Sequence, residues 1–134
     1  METVLLVDDD QDERELLGGW LEQAGYVVEA CPGPLEPDYV CVGGRTMTCP
    51  LAAGADVVVL DMQLGSDAAM EGTPGWHVLV TYVAMRKPVV ALVSGEDPVH
   101  PRPDDQVTVL GRPPGEQELL AAVHAALGRR QETA

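Results

Sequence analysis

Unbroken runs of aliphatic residues recur along the chain, and each predicts a strand that is buried on both faces, as in a parallel sheet. The central run, 57–60, consists of four apolar residues, three of them β-branched, and it stops at Asp61. Comparable runs occupy 3–7, 89–93 and 107–110, and residues 26–30, which include Glu29, predict a further short strand. Five such strands predict an α/β fold, because parallel strands are usually joined by helical crossovers.

Helical periodicity appears between and after these strands. Apolar residues recur at helical spacing in 16–24, and Gly25 is the expected terminator of this first helix. Another helix is predicted over 76–86. The last is predicted around 119–127, with acids before it and arginines after it, as the helix dipole favours.

Two stretches carry too many Pro and Gly residues for an ordinary helix, namely 31–54 and 96–106. We therefore expect loops in place of the second and fourth crossover helices. The longer stretch holds all three cysteines, Cys31, Cys41 and Cys49, with no C-x-x-C pair among them. These cysteines are compatible with a metal or redox site, with a disulfide, or with small buried hydrophobic residues that hold the loop.

Polar residues stand where four of the predicted strands end. Asp8 and Asp9 follow the first strand, Asp61 follows the third, Ser94 follows the fourth, and Arg112 with a proline after it follows the fifth. Either group of acids alone has a simpler explanation, as the start of a turn or as the charged first turn of a helix. Their repetition favours a binding site, because ligands of open parallel sheets bind at the carboxyl ends of the strands.

This combination resembles the receiver domain of two-component response regulators. The resemblance spans the whole chain and implies a flavodoxin-like, doubly wound sheet of five parallel strands in the order 2-1-3-4-5. We expect residues 1–134 to form a single receiver-like domain without an output domain, since the length suits one domain.

The resemblance also implies a magnesium site. Its ligands would be Asp9, Asp61 and the backbone carbonyl of Gln63, with Asp8 assisting through water. In the predicted strand order, strands one and three are neighbours, so their acids would share one crevice. Three ionised carboxylates repel one another unless a cation intervenes, and an all-oxygen cluster suits Mg²⁺.

The same resemblance implies that Asp61 accepts a phosphoryl group, while Ser94 and Arg112 neutralise the phosphoryl oxygens. The donor would be a histidine kinase or a phosphotransfer protein. The protein would not be an enzyme beyond catalysing its own phosphoryl transfer and dephosphorylation. The resemblance is also compatible with a downstream protein partner and with a homodimer.

Two positions depart from the family's pattern. Arg112 replaces the usual lysine with a planar, permanently charged fork, and Val109 replaces the usual switch aromatic. The alternative function is therefore a degenerate receiver that binds partners independently of phosphorylation. A metal or redox sensor built on the cysteine loop is a further alternative.

The net charge of −14 and the mere eight Lys and Arg residues oppose binding to nucleic acid, which requires cations to neutralise phosphates. No basic segment precedes an apolar run near the N-terminus, and no apolar run approaches the roughly 18 residues of a membrane span. These features predict a cytoplasmic protein with no nucleic-acid or membrane partner.

Overall fold

The computed structural model describes residues 2–8, 10–31, 53–62, 79, 82–93, 106–111 and 114–133. Its centre is one sheet of five parallel strands in the order β2-β1-β3-β4-β5. The strands are β1 Thr3–Val7, β2 Val27–Cys31, β3 Val57–Asp61, β4 Val89–Val93 and β5 Val107–Gly111. The predicted doubly wound sheet and its strand order are therefore confirmed.

Helix α1, Gln11–Gln23, connects β1 to β2, and helix α2, Glu116–Thr133, follows β5. The carboxylate of Asp10 caps α1 by accepting the Glu13 N–H. At the other end, Gly25 has a φ of 98°, a conformation that costs glycine little and other residues more. The predicted terminator is thus confirmed.

Three strands extend beyond the apolar runs, and β2 starts one residue later than predicted. The Tyr26 N–H donates to the Leu21 carbonyl, which keeps that residue in the turn after α1. Cys31 is added to β2, where it pairs with Val7. Likewise, pairing adds Asp61 to β3 and Gly111 to β5. Hydrogen bonding to neighbouring strands, which hydropathy does not report, sets these ends.

Alternation along each strand divides the core into two layers. The layer under α1 and α2 joins the two helices to the three central strands, and its fully buried members include Val4, Leu6, Val57, Val59, Val90, Leu92, Leu17, Leu21, Leu119 and Val123. The layer on the opposite face takes the alternate strand residues, including Leu5, Val7, Val58, Leu60, Val89 and Ala91. Both faces of the three central strands are therefore buried, as their unbroken aliphatic runs predict.

The second layer also contains Leu79 and Tyr82, from the helix predicted over 76–86. The described residues there agree with that prediction, since Leu79 and 82–84 have helical backbone. Arg86 then adopts a φ of 60°, and its N–H donates to the Val83 carbonyl, in a left-handed cap that ends the helix.

The predicted loops in place of two crossover helices fall largely on 32–52 and 94–105, outside the described residues, and stay predictions. Ala53, the first residue described before β3, has helical backbone. Among the described helices, none has the length and apolar character that crossing a bilayer requires.

Candidate functional site

Asp61 and Asp8 stand side by side at the carboxyl edge of the sheet. Asp61 is the last residue of β3, and Asp8 directly follows β1. Since Val7 pairs with Leu60, the two acids occupy corresponding positions on neighbouring strands. Both have no exposed surface, although they are the two charged residues among the fully buried side chains of the described chain. Burial of two like charges is costly unless something compensates for it.

Alternation along the strands decides which side of the sheet these acids serve. Leu6 and Val59 pack in the layer under α1 and α2, and the residues two positions further on are Asp8 and Asp61. The period of two therefore assigns both acids to the side that α1 covers. Helix α1 begins at this edge, because it leaves directly from the end of β1.

Hydrogen bonds hold the backbone around Asp8. Its N–H donates to the Cys31 carbonyl at 3.0 Å, which ties it to the end of β2. Its carbonyl accepts a hydrogen bond of 2.7 Å from Nη1 of Arg14, one turn into α1. Its carboxylate oxygen Oδ1 accepts the Asp10 N–H at 2.8 Å, so the turn into the helix orients this side chain.

Glu13 joins the two aspartates from the first turn of α1. Its N–H donates to Oδ1 of Asp10 at 3.1 Å, which places it at the third position of the helix. A glutamate at that position often accepts the N–H of the capping residue in return, but that N–H donates here to Asp8. The half-buried Glu13 carboxylate lies instead within reach of Asp8 and Asp61.

Each of these three residues offers one carboxylate oxygen, and the three oxygens lie within 4.8 Å of one another. The carboxylates of Asp8 and Asp61 are entirely shielded from solvent, and Oε1 of Glu13 is shielded as well. Two oxygens on opposite sides of a single Mg²⁺ stand about 4 Å apart, since each bond is roughly 2.1 Å long. The donor atoms are of the kind that a divalent cation binds, and the 4.8 Å limit on their separation is close to the distance that one ion spans. We call these three residues the acidic pocket.

The structure thus brings together two of the predicted site residues, Asp8 and Asp61. Asp9, Gln63, Ser94 and Arg112 lie outside the described residues, so their roles stay predictions. Val109, at the position of the absent switch aromatic, is half-buried and packs against the second layer of the core. Cys31 is half-buried at the end of β2, whereas Cys41 and Cys49 lie outside the described residues.

Sequence reasoning missed Glu13, because an acid early in an amphipathic helix looks like a solvated or capping residue. One signal was available. Glu13 stands three residues after the capping Asp10, so it lies within the first helical turn after an acidic strand end. Any side chain in that turn begins near the edge where the acids collect.

Comparisons with known proteins bear on the fold. No protein-family model matches the sequence, and no curated protein matches it. Solved structures do match over nearly the whole chain. A response regulator receiver domain protein from Clostridium thermocellum has a TM-score of 0.69 at 17% identity, with 100% of each chain covered.

Two further structures agree. The N-terminal domain of a response regulator/sensory box/GGDEF three-domain protein from Carboxydothermus hydrogenoformans has a TM-score of 0.67 at 22% identity, with 98% of each chain covered. A CheY-like response regulator receiver domain protein from Methanospirillum hungatei has a TM-score of 0.68 at 19% identity, with 97% of each chain covered. The fold of this chain is that of the response regulator receiver domains.

Proposed function

We propose that this protein is a phosphoacceptor receiver of two-component signalling, which accepts a phosphoryl group on Asp61 with the help of Mg²⁺. The observation that carries the proposal is the convergence of Asp61 and Asp8 at the carboxyl edge of β3 and β1, within a receiver fold. Buried, like-charged carboxylates at this position are better explained by a bound cation and a reaction than by stability.

The proposed reaction is a phosphoryl transfer to a carboxylate nucleophile. An oxygen of Asp61 forms a bond to phosphorus while the bond from phosphorus to the donor breaks, and the donor leaves with the bonding electrons. With a phosphohistidine donor, the bond that breaks is P–N, and the imidazole leaves. Asp61 would hold Mg²⁺ with the help of Asp8, and the bound ion would supply positive charge near the phosphoryl oxygens.

Other parts of this proposal rest on the sequence resemblance. Asp9 and the Gln63 carbonyl are the expected additional metal ligands, and Ser94 and Arg112 are the expected partners of the phosphoryl oxygens. The proposed donor is a histidine kinase or phosphotransfer protein in the cytoplasm. The protein's catalysis is limited to its own phosphorylation and dephosphorylation.

Intact-mass measurement after incubation with acetyl phosphate or phosphoramidate and Mg²⁺ tests the proposal. We expect the mass of one phosphoryl group to be added to the protein and to be absent from Asp61→Asn, which lacks the nucleophilic oxygen. Chelation of Mg²⁺ with EDTA is expected to prevent the gain.

Asp12→Asn is the matched control, since it makes the same change of charge at an exposed position on the first turn of α1. It is expected to label like the unaltered protein. A phosphoryl mass that persists in Asp61→Asn, or no mass gain under any of these conditions, contradicts the assignment.

Arg112→Lys tests the proposed cation. An ammonium group is a compact point charge, whereas a guanidinium is a larger, planar fork. If the geometry of the cation slows transfer, Arg112→Lys should label Asp61 faster than the unaltered protein does. Equal or slower labelling would assign Arg112 a separate structural or binding role.

The burial of Asp61 favours a second candidate function. A phosphodonor cannot reach a carboxylate that has no exposed surface until neighbouring groups move. A receiver that stays closed in this way would act as an interaction module that does not depend on phosphorylation. Partner binding that is unchanged by Asp61→Asn, together with no labelling of the unaltered protein, would support this second function.

A further inference from the structure

We propose that Glu13 is a third carboxylate of the metal site and strengthens its hold on a divalent cation. The inference rests on the proposed function, because it concerns the same acidic pocket. It goes further by placing on α1 a residue that the resemblance does not include. The metal site would then join the helix to the sheet rather than belong to the strand ends alone.

The position of Glu13 is set by contacts that do not depend on its side chain. Its backbone N–H is held by the Asp10 cap, and the Arg14 guanidinium ties the same turn to the Asp8 carbonyl. From this anchored turn, a Glu13 oxygen lies within 4.8 Å of oxygens of both Asp8 and Asp61. One Glu13 oxygen is shielded from solvent, although an acid at the start of a helix is free to extend into water.

The charge of Glu13 affects both the metal-free pocket and the binding of a cation. Asp8, Glu13 and Asp61 together carry three negative charges in the ionised state, against two positive charges on one divalent cation. Bringing the third carboxylate close costs repulsion while the metal is absent, and the repulsion is removed when the metal binds. Glu13 therefore destabilises the metal-free pocket and makes cation binding more favourable.

Two ordinary roles of an acid in a first helical turn compete with this inference. It can stabilise the helix through the macrodipole, or it can cap a backbone N–H. The macrodipole role predicts that removing the charge destabilises the protein whether or not metal is present, and the capping role predicts little change in Glu13→Gln, because glutamine also caps. Asp12 supplies the comparison, since it occupies the same turn but is exposed.

Isothermal titration of the full chain with MgCl₂ tests the inference, using the unaltered protein, Glu13→Gln and Asp12→Asn. Glu13→Gln keeps the shape of the side chain and removes its charge. We expect it to weaken Mg²⁺ binding roughly tenfold, the lower end of the effect of altering groups that support a metal site. Asp12→Asn should bind Mg²⁺ as the unaltered protein does.

Thermal unfolding of the same samples gives a second readout. Glu13→Gln should melt at a higher temperature than the unaltered protein in EDTA and should gain less from added Mg²⁺. If the role of Glu13 were purely structural, Glu13→Gln would instead lower the melting temperature in EDTA or leave it unchanged. Unchanged Mg²⁺ affinity in Glu13→Gln, or equal losses in Glu13→Gln and Asp12→Asn, would overturn the inference.

The outcome is separable from that of the proposed function. If the unaltered protein binds Mg²⁺ through Glu13 but Asp61 is never labelled, the phosphoacceptor proposal fails and the metal assignment holds. If Asp61 is labelled normally and Glu13→Gln binds Mg²⁺ as before, the proposed function holds and the inference about Glu13 fails.

Discussion

Strand β3 has an aspartate at each end, and the two aspartates have different surroundings. Asp56 precedes the strand, and its carboxylate oxygen Oδ2 accepts the Thr3 N–H at 2.8 Å. Asp61 ends the strand and lies among the carboxylates of Asp8 and Glu13. Although the two acids are only five residues apart, Asp56 accepts a hydrogen bond from the backbone, whereas Asp61 adds to a cluster of like charge. The first arrangement is a hydrogen bond that stabilises the backbone, whereas the second places like charges close together.

The same contrast extends to the two edges of the sheet. At the amino edge, Lys87 Nζ donates to the Ala53 and Ala55 carbonyls at 3.2 and 3.0 Å. Beside it, Gln106 Nε2 donates to the Val83 and Lys87 carbonyls, each at 3.0 Å. Polar side chains there supply hydrogen bonds to backbone carbonyls in the segments that precede β3 and β4. At the carboxyl edge three acids converge instead, with carboxylate oxygens within 4.8 Å of one another.

Among the substitutions that test this contrast, we expect the largest change in the free energy of unfolding at the amino edge. Asp56→Ala removes the acceptor of the Thr3 N–H, and we expect it to lower the free energy of unfolding by about 2 kcal/mol, as for a lost hydrogen bond to a charged group. Urea denaturation of the variant and the unaltered protein measures it. Mg²⁺ affinity should not change, and a parallel loss of Mg²⁺ binding would mean that the two edges are coupled.

At the carboxyl edge we expect a substitution to raise the free energy of unfolding rather than lower it. Without metal, Asp61→Asn removes one of the mutually repelling charges, and we expect it to raise the free energy of unfolding by roughly 1 kcal/mol, within the usual range for interacting neighbours. The same variant should bind Mg²⁺ more weakly. Urea denaturation in EDTA and titration with MgCl₂ measure the two effects, and unchanged Mg²⁺ affinity would show that Asp61 is not in the metal site.

Helix stability and pocket charge can be separated at Gly19. A methyl group built there meets nothing within 4 Å, so Gly19→Ala adds no clash to α1. Because glycine in a helix interior costs up to about 1 kcal/mol relative to alanine, we expect a gain of that order in the free energy of unfolding. Mg²⁺ affinity should stay the same. An altered affinity would mean that fraying of α1, rather than the charge of Glu13, controls the pocket.

The smallest effect concerns pH at the junction of α1 and β2. Burial and then the nearby Glu2 carboxylate raise the pKa of Tyr26 above its ordinary value of 10.0. The folded state therefore keeps the proton longer than the unfolded state, and stability falls as the pH rises above about 10. Tyr26→Phe should flatten this alkaline fall, as measured by urea denaturation at several pH values. An equal slope in both proteins would assign the fall to other groups.

Hydropathy predicted the bounds of buried strands better than those of the exposed strand. The runs in β1 and β4 predicted both strands to the residue, because a central parallel strand is buried on both faces and carries no polar alternation. The shift of β2 by one residue was not predictable, because this edge strand is largely exposed and its ends depend on bonds to Leu21 and Asp8.

The residues of the candidate site also differ in whether the sequence alone predicted them. Asp8 and Asp61 were predictable, since the position of an acid after an apolar strand is visible in the sequence and the carboxyl ends of parallel strands share one edge. Glu13 was not predictable, because its membership depends on where α1 begins in space relative to β3. Strands and helices far apart in the chain come together there.

The sequence by itself therefore determined the class of fold, the central strands and the edge at which acids collect, because burial and period are local properties of the chain. Only the tertiary structure decided that Asp56 bonds the backbone at Thr3 while Asp61 joins a cluster of charges. It also decided that Glu13 faces Asp8 and Asp61, since the distance between side chains on separate elements depends on how the helix packs on the sheet.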